Sequence, residues 1–307
     1  MMRLALALSL ALPLVTTSAI AAQPPAPPPG ATLAQRVVSN DPSKYTATQG
    51  SHSGPGILRQ IYLLGTSTYE EAPLIFFQRG VLDPKSGIGH HFHNECEEMF
   101  VVLGDGEAEF TVDGRTSLIK APVATPVRAG HSHALYNPTD KPIFWMDINV
   151  GMTKQSDSFD LRDPRQGVML DQIPQFMHYR FEQTRLQERE AFRGGVGKVM
   201  YRRALGPTVF ATPWSYVDHI VIPPGASLGA GSDAGINEII YVISGNATVS
   251  LNGATAPMKT DDVIAFKDGE AKGLRNSGST PLEVMVVGIA NNLEAKRRYM
   301  AATSRVR

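Results

Sequence analysis

A cluster of histidines and glutamates at positions 90–98 is the part of this sequence best suited to chemistry. The segment reads HHFHNECEE and holds three of the chain's eight histidines. His91 and His93 are two residues apart beside an apolar run, so in a β-strand their side chains point to the same face. Glu98 opens the run EMFVVL, in which its carboxylate shares a face with Phe100 and Val102. Two imidazoles and one carboxylate can therefore meet on one side of a sheet.

Another histidine, His133, lies further along the chain in the segment AGHSHALYN. With His91, His93 and Glu98 it gives three nitrogen donors and one oxygen donor, a set suited to a divalent transition metal. Such a set leaves positions open for water or a substrate. Mixed nitrogen and oxygen donors suit Fe, Mn, Ni, Cu and Zn alike, so we expect one divalent metal from this group.

The chain contains an internal repeat. Residues 81–103 align without a gap to residues 221–243, residues 106–114 match 245–253, and residues 123–142 match 262–281. Repeated self-similarity of this length indicates two tandem copies of one domain.

The second copy lacks most of the proposed ligands. The counterparts of His91, His93 and His133 are Gly231, Asp233 and Lys272, and only Glu238 matches Glu98. A lysine ammonium has no lone pair and repels a cation. We expect the second copy to bind no metal here, and an ion pair of Lys272 with Glu238 or Asp233 to satisfy the buried charges instead.

The histidine-containing segments resemble the two motifs of the cupin superfamily. The first motif has the form G-x5-H-x-H-x3,4-E-x6-G and the second G-x5-P-x-G-x2-H-x3-N, whereas this chain has HFHNECEEMFVVLGDG and GHSHALYN. Arg128 replaces the usual proline of the second motif. The glycine spacing of the first motif fits Glu97, but the repeat aligns Glu98 with Glu238, and we take Glu98 as the ligand.

With the repeat, this resemblance implies a bicupin whose two barrels cover roughly residues 55–150 and 200–290. It implies an all-β fold of two tandem double-stranded β-helix (jelly-roll) barrels, with the metal held in the first by three histidines and one glutamate. Cupin barrels serve oxygenases, isomerases, lyases and non-catalytic binding proteins, so the fold alone does not fix the reaction.

The local sequence supports many short strands. Segments such as EEMFVVL, AEFTV and EIIYVI are rich in β-branched and aromatic residues and are bounded by Gly, Pro, Asn and Asp. Residues 171–192 are the main helix candidate, and residues 291–307 are a second. The expected organisation is a signal peptide at 1–22, a Pro-rich spacer at 23–34, the first barrel at 35–150, a linker with a helix at 151–199, the second barrel at 200–292 and a tail at 293–307.

The first 22 residues have the features of a secretory signal. Arg3 precedes an apolar stretch, and SAIAA offers small residues for cleavage. We therefore expect a periplasmic or secreted protein, with no membrane association after cleavage. Cys96 is the single cysteine, so no internal disulfide can form.

The metal site and the cupin resemblance imply a small-molecule substrate as the partner. The formal net charge is zero, which gives no indication of nucleic-acid binding. A homodimer is compatible with the sequence.

Three further residues are candidates for catalysis. His131 lies two residues before His133 and could act as an acid or base. Arg79 lies in the strand-like segment LIFFQRGVL and could reach the cavity. Tyr136 could line the same cavity, and for each of the three an ordinary surface or packing role is the alternative.

The remaining titratable residues near the motifs have simpler expected roles. Glu95 and Glu97 are expected to face solvent and His90 to face away from the metal. Cys96 is expected to be a plain thiol. His52, His178 and His219 are expected to be structural, and Asp147 is a weak candidate for the site.

Two functions fit these observations. The first is an exported metal-dependent enzyme that acts on a small oxygen-rich molecule by a dioxygenase-, isomerase- or lyase-type reaction in the first barrel. The second is a non-catalytic small-molecule-binding or sensory bicupin.

Metal affinity should depend on pH, because an imidazole binds a metal only through a neutral nitrogen. We expect the affinity to fall as the pH drops below about 6. Equilibrium dialysis against buffers of decreasing pH, followed by elemental analysis, measures this dependence. Metal retention that is unchanged down to about pH 4 would contradict a histidine-based site.

Overall fold

The computed structural model describes residues 22–304. Apart from Ala22, the predicted signal peptide lies outside the described residues. Strands β1–β12 are Val38–Ser39, Thr46–Gln49, Ile57–Gly65, Leu74–Leu82, Gly87–Phe92, Cys96–Leu103, Glu107–Val112, Arg115–Lys120, Val123–Val127, Ser132–Tyr136, Ile143–Gly151 and Phe159–Asp163. Strands β13–β23 are Tyr179–Arg180, Gln187–Glu190, Lys198–Leu205, Trp214–Ile222, Ser227–Gly231, Ile236–Ser244, Asn246–Leu251, Ala254–Lys259, Asp262–Phe266, Lys272–Asn276 and Leu282–Ala290, and helix α1 is Leu293–Ser304.

The strands form two barrels, each built from a large and a small antiparallel sheet. In the first barrel, a seven-stranded sheet with the order β13-β9-β6-β11-β4-β3-β2 faces a five-stranded sheet with the order β12-β5-β10-β7-β8. In the second, a seven-stranded sheet with the order β1-β21-β18-β23-β16-β15-β14 faces a four-stranded sheet with the order β17-β22-β19-β20. The predicted all-β fold with two tandem jelly-roll barrels is confirmed.

The two seven-stranded sheets pack against each other through their outer faces. Along β6, Phe100 and Val102 point into the first barrel, whereas Met99 and Val101 belong to an apolar core shared with the second barrel. The same alternation holds in the second barrel along β18, where Ile239 lies in the shared core. Each large sheet is therefore apolar on both faces, as a sheet buried on both sides requires.

Both ends of the predicted first barrel differ from the sequence-based boundaries. Val38–Ser39, predicted inside the first barrel, pairs instead with β21 of the second. Leu33, predicted in a spacer without a core, is buried in the core of the second barrel. The predicted linker contributes β12 and β13 to the sheets of the first barrel and β14 to the second.

The helix predicted over residues 171–192 is wrong. This segment contains the short strands β13 and β14 and two 3-10 turns, Gln183–Arg185 and Phe192–Gly194. Tyr179 and Phe181 are two residues apart and both are buried in the shared core beside His219. A spacing of two places both rings on one side of an extended chain, so packing against the barrels outweighs helix propensity. The helix predicted in the tail is confirmed as α1.

The interface between the barrels also uses charged side chains. The guanidinium of Arg79 donates to Asp261 of the second barrel, with Nη2 and Oδ1 2.9 Å apart. Burial raises the pKa of Asp261, but the charge of Arg79 outweighs this effect, so the pKa is lowered overall. The carboxylate of Glu97, expected in solvent, is instead 1% exposed and accepts hydrogen bonds from the backbone of Ala211 and from the backbone and hydroxyl of Thr212. Glu97 is buried because side chains alternate along β6. Glu98 points into the barrel, so Glu97 points to the interface.

Within residues 22–304, no helix has the length and apolarity needed to cross a membrane.

Replacing Glu97 should destabilise the pair of barrels. Glu97→Ala removes the acceptor of three hydrogen bonds and leaves their donors buried, so we expect a loss of about 3 kcal/mol in the free energy of unfolding. Urea unfolding measures this loss. Glu95→Ala, which removes an exposed carboxylate two residues away, is the matched control and should change stability by less than about 0.5 kcal/mol. Equal stability of the two variants would show that the Glu97 contacts contribute nothing.

Candidate metal centre

Four predicted ligands meet inside the first barrel. His91 lies on β5 and pairs directly with His133 on β10, His93 follows the end of β5, and Glu98 lies near the start of β6. Their ligand atoms lie within 4.8 Å of one another, and all four side chains are buried. The strand register therefore brings together residues that are far apart in the sequence.

Hydrogen bonds fix the orientation of two of the imidazoles. Nδ1 of His91 donates to the carbonyl of Gly89 over 2.8 Å, and Nδ1 of His93 donates to the carbonyl of Asp157. Because Nδ1 of each ring carries the donated hydrogen, Nε2 of the neutral ring has a free lone pair, and this is the form in which histidine binds a metal. Asn149 donates to Glu98 Oε1 over 2.7 Å and orients the carboxylate.

The polar atoms at the centre fit a cation. Nε2 of His93 is buried and, within residues 22–304, has no hydrogen-bond partner; it lies 3.4 Å from Glu98 Oε1. Nε2 of His133 lies 2.8 Å from Glu98 Oε2. A buried carboxylate surrounded by imidazole nitrogens, one of which has no hydrogen-bond partner among the described residues, suits a bound cation. The residues present therefore fit one divalent transition metal held by three nitrogens and one oxygen.

The charges at the centre are strongly coupled. Burial lowers the pKa of His91 well below its ordinary value, which keeps this imidazole neutral. Burial also lowers the pKa of His93, but the Glu98 carboxylate outweighs it and raises the pKa to about 12. A metal at this centre therefore competes with a proton on His93.

A tight loop places a fourth imidazole ring against the ligands. The ring of His52 stacks on His91, with ring centroids 3.7 Å apart and planes 5° from parallel. His52 has a left-handed backbone conformation (φ 47°) in the turn Ser51–Ser53. This turn lies so close to β5 that a Cβ atom on Gly89 would be 1.9 Å from the His52 carbonyl, so only glycine fits there.

Three of the ligands, His91, His93 and Glu98, line a cavity of about 400 Å³. Most of its lining residues have polar side chains, and they come from both sheets and from the N-terminal segment. The residues are Gln23, Thr48, Gly50, Ser51, His52, Gln60, Tyr62, Ile75, Phe76, Gln78, Ile88, His91, His93, Glu98, Phe100, Asp147, Ser156 and Ser158. Gln78 Nε2 donates to Asp147 Oδ2 over 3.1 Å. Burial, and then the charge of Glu98, raise the pKa of Asp147 well above its ordinary value.

The three predicted catalytic residues do not line this cavity. His131 is exposed, and its ring lies 2.6 Å from the carboxylate of Asp113. The side chains of β4 alternate between the cavity and the interface. Arg79 lies on the interface side, where it contacts Asp261 of the second barrel. The hydroxyl of Tyr136 accepts from Gln166 over 3.1 Å. None of these side chains can meet a molecule bound at the centre without a rearrangement.

Two neighbours of the ligands behave largely as expected. His90 is directed away from the centre, towards Asp163 and Ser132. Cys96 is buried at the start of β6 and lies with His93 and Asp157 in a second group of possible ligand atoms. The Cys96 thiol donates to Asp157 Oδ1 over 3.8 Å and accepts from Asn149 Nδ2 over 3.4 Å.

The second barrel replaces the metal site with an ion-pair network. Lys272 forms an ion pair with Glu238, as one of the two predicted alternatives requires. Arg193 also contacts this carboxylate, 3.2 Å away, and Asp233, 3.3 Å away. Tyr216 donates to Glu238, and the cavity lined by Glu238, Lys272 and Arg193 measures only about 20 Å³. The charges of the second barrel therefore neutralise one another.

His52 and two of the cavity residues, Tyr62 and Gln78, were not predicted from the sequence as part of the site. Residues 50–65 match residues 191–206, including glycines at 54 and 195 and at 56 and 197, and the turn at His52 recurs at Arg193 with φ 54°. Extending the repeat towards the N-terminus would have placed His52 opposite Arg193. The roles of Tyr62 and Gln78 depend on strand register, which the sequence does not show, whereas Asp147, a weak candidate from the sequence, lines the cavity.

Comparison with known proteins identifies the family. Residues 79–149 and 218–288 each match the cupin domain. An oxalate-binding protein of Thermotoga maritima is 32% identical over 95 residues, which cover 31% of this chain and 78% of that protein. The chain belongs to the cupin family.

Solved bicupins share this architecture. A deletion variant of Bacillus subtilis oxalate decarboxylase is similar over 85% of this chain and 79% of that chain, with a TM-score of 0.59 and 16% identity. A salicylate 1,2-dioxygenase of Pseudaminobacter salicylatoxidans is similar over 73% of each chain, with a TM-score of 0.54 and 16% identity. At this level of identity the likeness establishes the fold alone.

Metal binding should depend on the first barrel only. His133→Ala and Lys272→Ala change equivalent positions of the two barrels. We expect His133→Ala to lose at least about tenfold in metal affinity, because one of four donors is missing, and His91→Ala to lose binding altogether.

Lys272→Ala is the matched control and should retain one metal per chain. Elemental analysis after dialysis measures the stoichiometry, and circular dichroism verifies that each variant is folded. Loss of the metal from folded Lys272→Ala, or two metals per wild-type chain, would contradict this assignment.

Proposed function

We propose that this bicupin is a metal-dependent enzyme that acts on a small oxygen-rich molecule in its first barrel. The observation that carries this proposal is the convergence of His91, His93, Glu98 and His133 beside a polar cavity of about 400 Å³. A cavity of this size, with a few convergent polar groups, suits a small molecule.

The protein contributes orientation and enclosure. A divalent transition metal at the four ligands supplies Lewis acidity or oxygen chemistry when bound. The carbonyls of Gly89 and Asp157 hold two imidazoles in fixed orientations, and Asn149 holds Glu98. Phe76, Phe100 and other apolar residues of the lining limit the water around a bound molecule.

The reaction class is supported by the structural neighbours. One of them is named as an oxalate decarboxylase and another as a salicylate 1,2-dioxygenase, so lyase and dioxygenase chemistry both occur on this architecture. We propose a reaction of one of these two types, with an isomerase-type reaction as the third possibility. The second barrel, filled by its own charges, supports the first without a reaction of its own.

A non-catalytic role is the alternative. The relative from Thermotoga maritima is named as an oxalate-binding protein, which favours a small-molecule-binding bicupin. The ring of His52 stacks on His91 and restricts access to the centre from one side, an arrangement compatible with a site that only binds a molecule.

We also propose that the protein is exported to the periplasm or secreted. The supporting features are the basic start, the apolar stretch and the small residues within positions 1–22.

A substrate screen tests the enzymatic proposal. The exported protein is analysed for its metal, and its oxygen uptake and carbon dioxide release are then measured with hydroxy acids, keto acids, flavonols and sugars. We expect turnover by the wild type and a loss of at least about 100-fold in Glu98→Gln, because a neutral amide is a poorer ligand than a carboxylate. Tight binding of a screened compound without turnover would favour the alternative, and absence of metal would contradict both.

A further inference from the structure

Two buried polar side chains of the first-barrel cavity take no part in holding the ligands. Gln78 on β4 and Asp147 on β11 are direct register partners and are hydrogen-bonded to each other. They are 6% and 3% exposed. Within the described chain, Gln78 Oε1 and Asp147 Oδ1 have no hydrogen-bond partner. Buried polar atoms in proteins nearly always have hydrogen-bond partners, so these two oxygens indicate that a bound molecule supplies the missing hydrogen bonds. We call the Gln78–Asp147 pair the wall of the cavity.

The wall lies within reach of the metal centre. Asp147 precedes Asn149 by two residues along β11, and Asn149 is the register partner of Glu98. Two residues of a strand span about 7 Å. Gln78, Asp147 and the ligands line one cavity, so a molecule of two to four carbons can touch both the metal and the wall.

The charge of the cavity restricts that molecule. Among the residues of the 22–304 range that line it, none is Lys or Arg. A divalent metal together with Glu98 leaves a single positive charge, which one carboxylate of a bound molecule neutralises. A second carboxylate would face the Gln78 oxygen and the uncharged Asp147 carboxyl without a cation, whereas a hydroxyl can donate to Gln78 Oε1 and accept from Asp147.

The second barrel provides a contrast at the same positions. In the second barrel, Arg203 is the register partner of Asp218 and forms an ion pair with it. The equivalent residues of the first barrel, Tyr62 and Gln78, are also register partners. Val286 is the other register partner of Asp218, as Asp147 is of Gln78. The scaffold can therefore hold a cation at the position of Tyr62, and the first barrel has none there.

We propose that the Gln78–Asp147 pair is the specificity-determining wall of the cavity, and that it selects a small hydroxylated molecule with at most one carboxylate over a dicarboxylate such as oxalate. This inference rests on the proposed function and names its substrate class. The carboxylate or another oxygen lies at the metal, and a hydroxyl donates to the wall.

Matched ligand pairs test the selection. Titration calorimetry at neutral pH with the Zn(II)-loaded protein compares glycolate with oxalate, 3-hydroxypropanoate with malonate, and 4-hydroxybutanoate with succinate. In at least one pair the hydroxy acid should bind at least about tenfold more tightly than its dicarboxylate, the difference expected when a charged group faces unfavourable partners. Metal analysis after each titration verifies that the ligand did not extract the metal.

Two variants copy residues of the second barrel into the first. Asp147→Val should weaken binding of the preferred hydroxy acid by about tenfold, because the hydroxyl of the ligand loses a hydrogen-bond partner. Tyr62→Arg should strengthen dicarboxylate binding by about tenfold, because it adds a cation beside Gln78. Asp140→Val, which removes an exposed carboxylate outside the cavity, should leave every affinity unchanged.

The outcomes separate this inference from the proposed function. Dicarboxylates that bind the wild type as tightly as their partners, no binding by either member of any pair, or unchanged affinities in folded, metal-loaded Asp147→Val would overturn the selection and leave the metal centre intact. A wild-type protein that does not retain metal would overturn the proposed function, and this inference with it.

Discussion

Alternation along β6 is the constraint on which the metal centre and the barrel interface both depend. Adjacent residues of this strand serve different purposes, since Glu98 points to the metal ligands and Glu97 points to the loop at Thr212 in the second barrel. A shift of one residue would move the ligand to the interface and the interface carboxylate into the cavity. The shared apolar core prevents this shift, because Met99 and Val101 would then lose their partners.

The same scaffold satisfies its buried carboxylate in two ways. In the first barrel, Glu98 is surrounded by three histidines, whose nitrogens can bind a metal. In the second, Glu238 meets Lys272 and Arg193, whose charges need no metal. A buried carboxylate without a counter-charge is strongly unfavourable, so each barrel must supply one. The cation in the second barrel is part of the chain, which closes the cavity, whereas the first barrel leaves its cavity open for a ligand.

Much of the fold and of the centre follows from the sequence because these signals are local or repeated. The spacing of His91 and His93, the apolar run after Glu98 and the repeat were sufficient for the two barrels and the four ligands. The direction of Arg79 was not predictable, because it depends on which face of β4 meets the second barrel. The absence of a helix at 171–192 likewise reflects packing of Tyr179 between the barrels, a contact between distant parts of the chain.

These contacts give the second barrel a role in the chemistry of the first, although it has no metal ligands. Its large sheet covers the outer face of the sheet that carries Glu98, Asn149 and Asp147, so the backbone of all three is buried on both sides. Lys296 of α1 donates to the carbonyls of Phe210 and Thr212 and fixes the loop that holds Glu97. A chain of hydrogen bonds therefore connects the C-terminal helix to the strand of the metal ligand. Rigid support of this kind keeps a coordinating carboxylate in one orientation, which a metal site requires of residues beyond its own ligands.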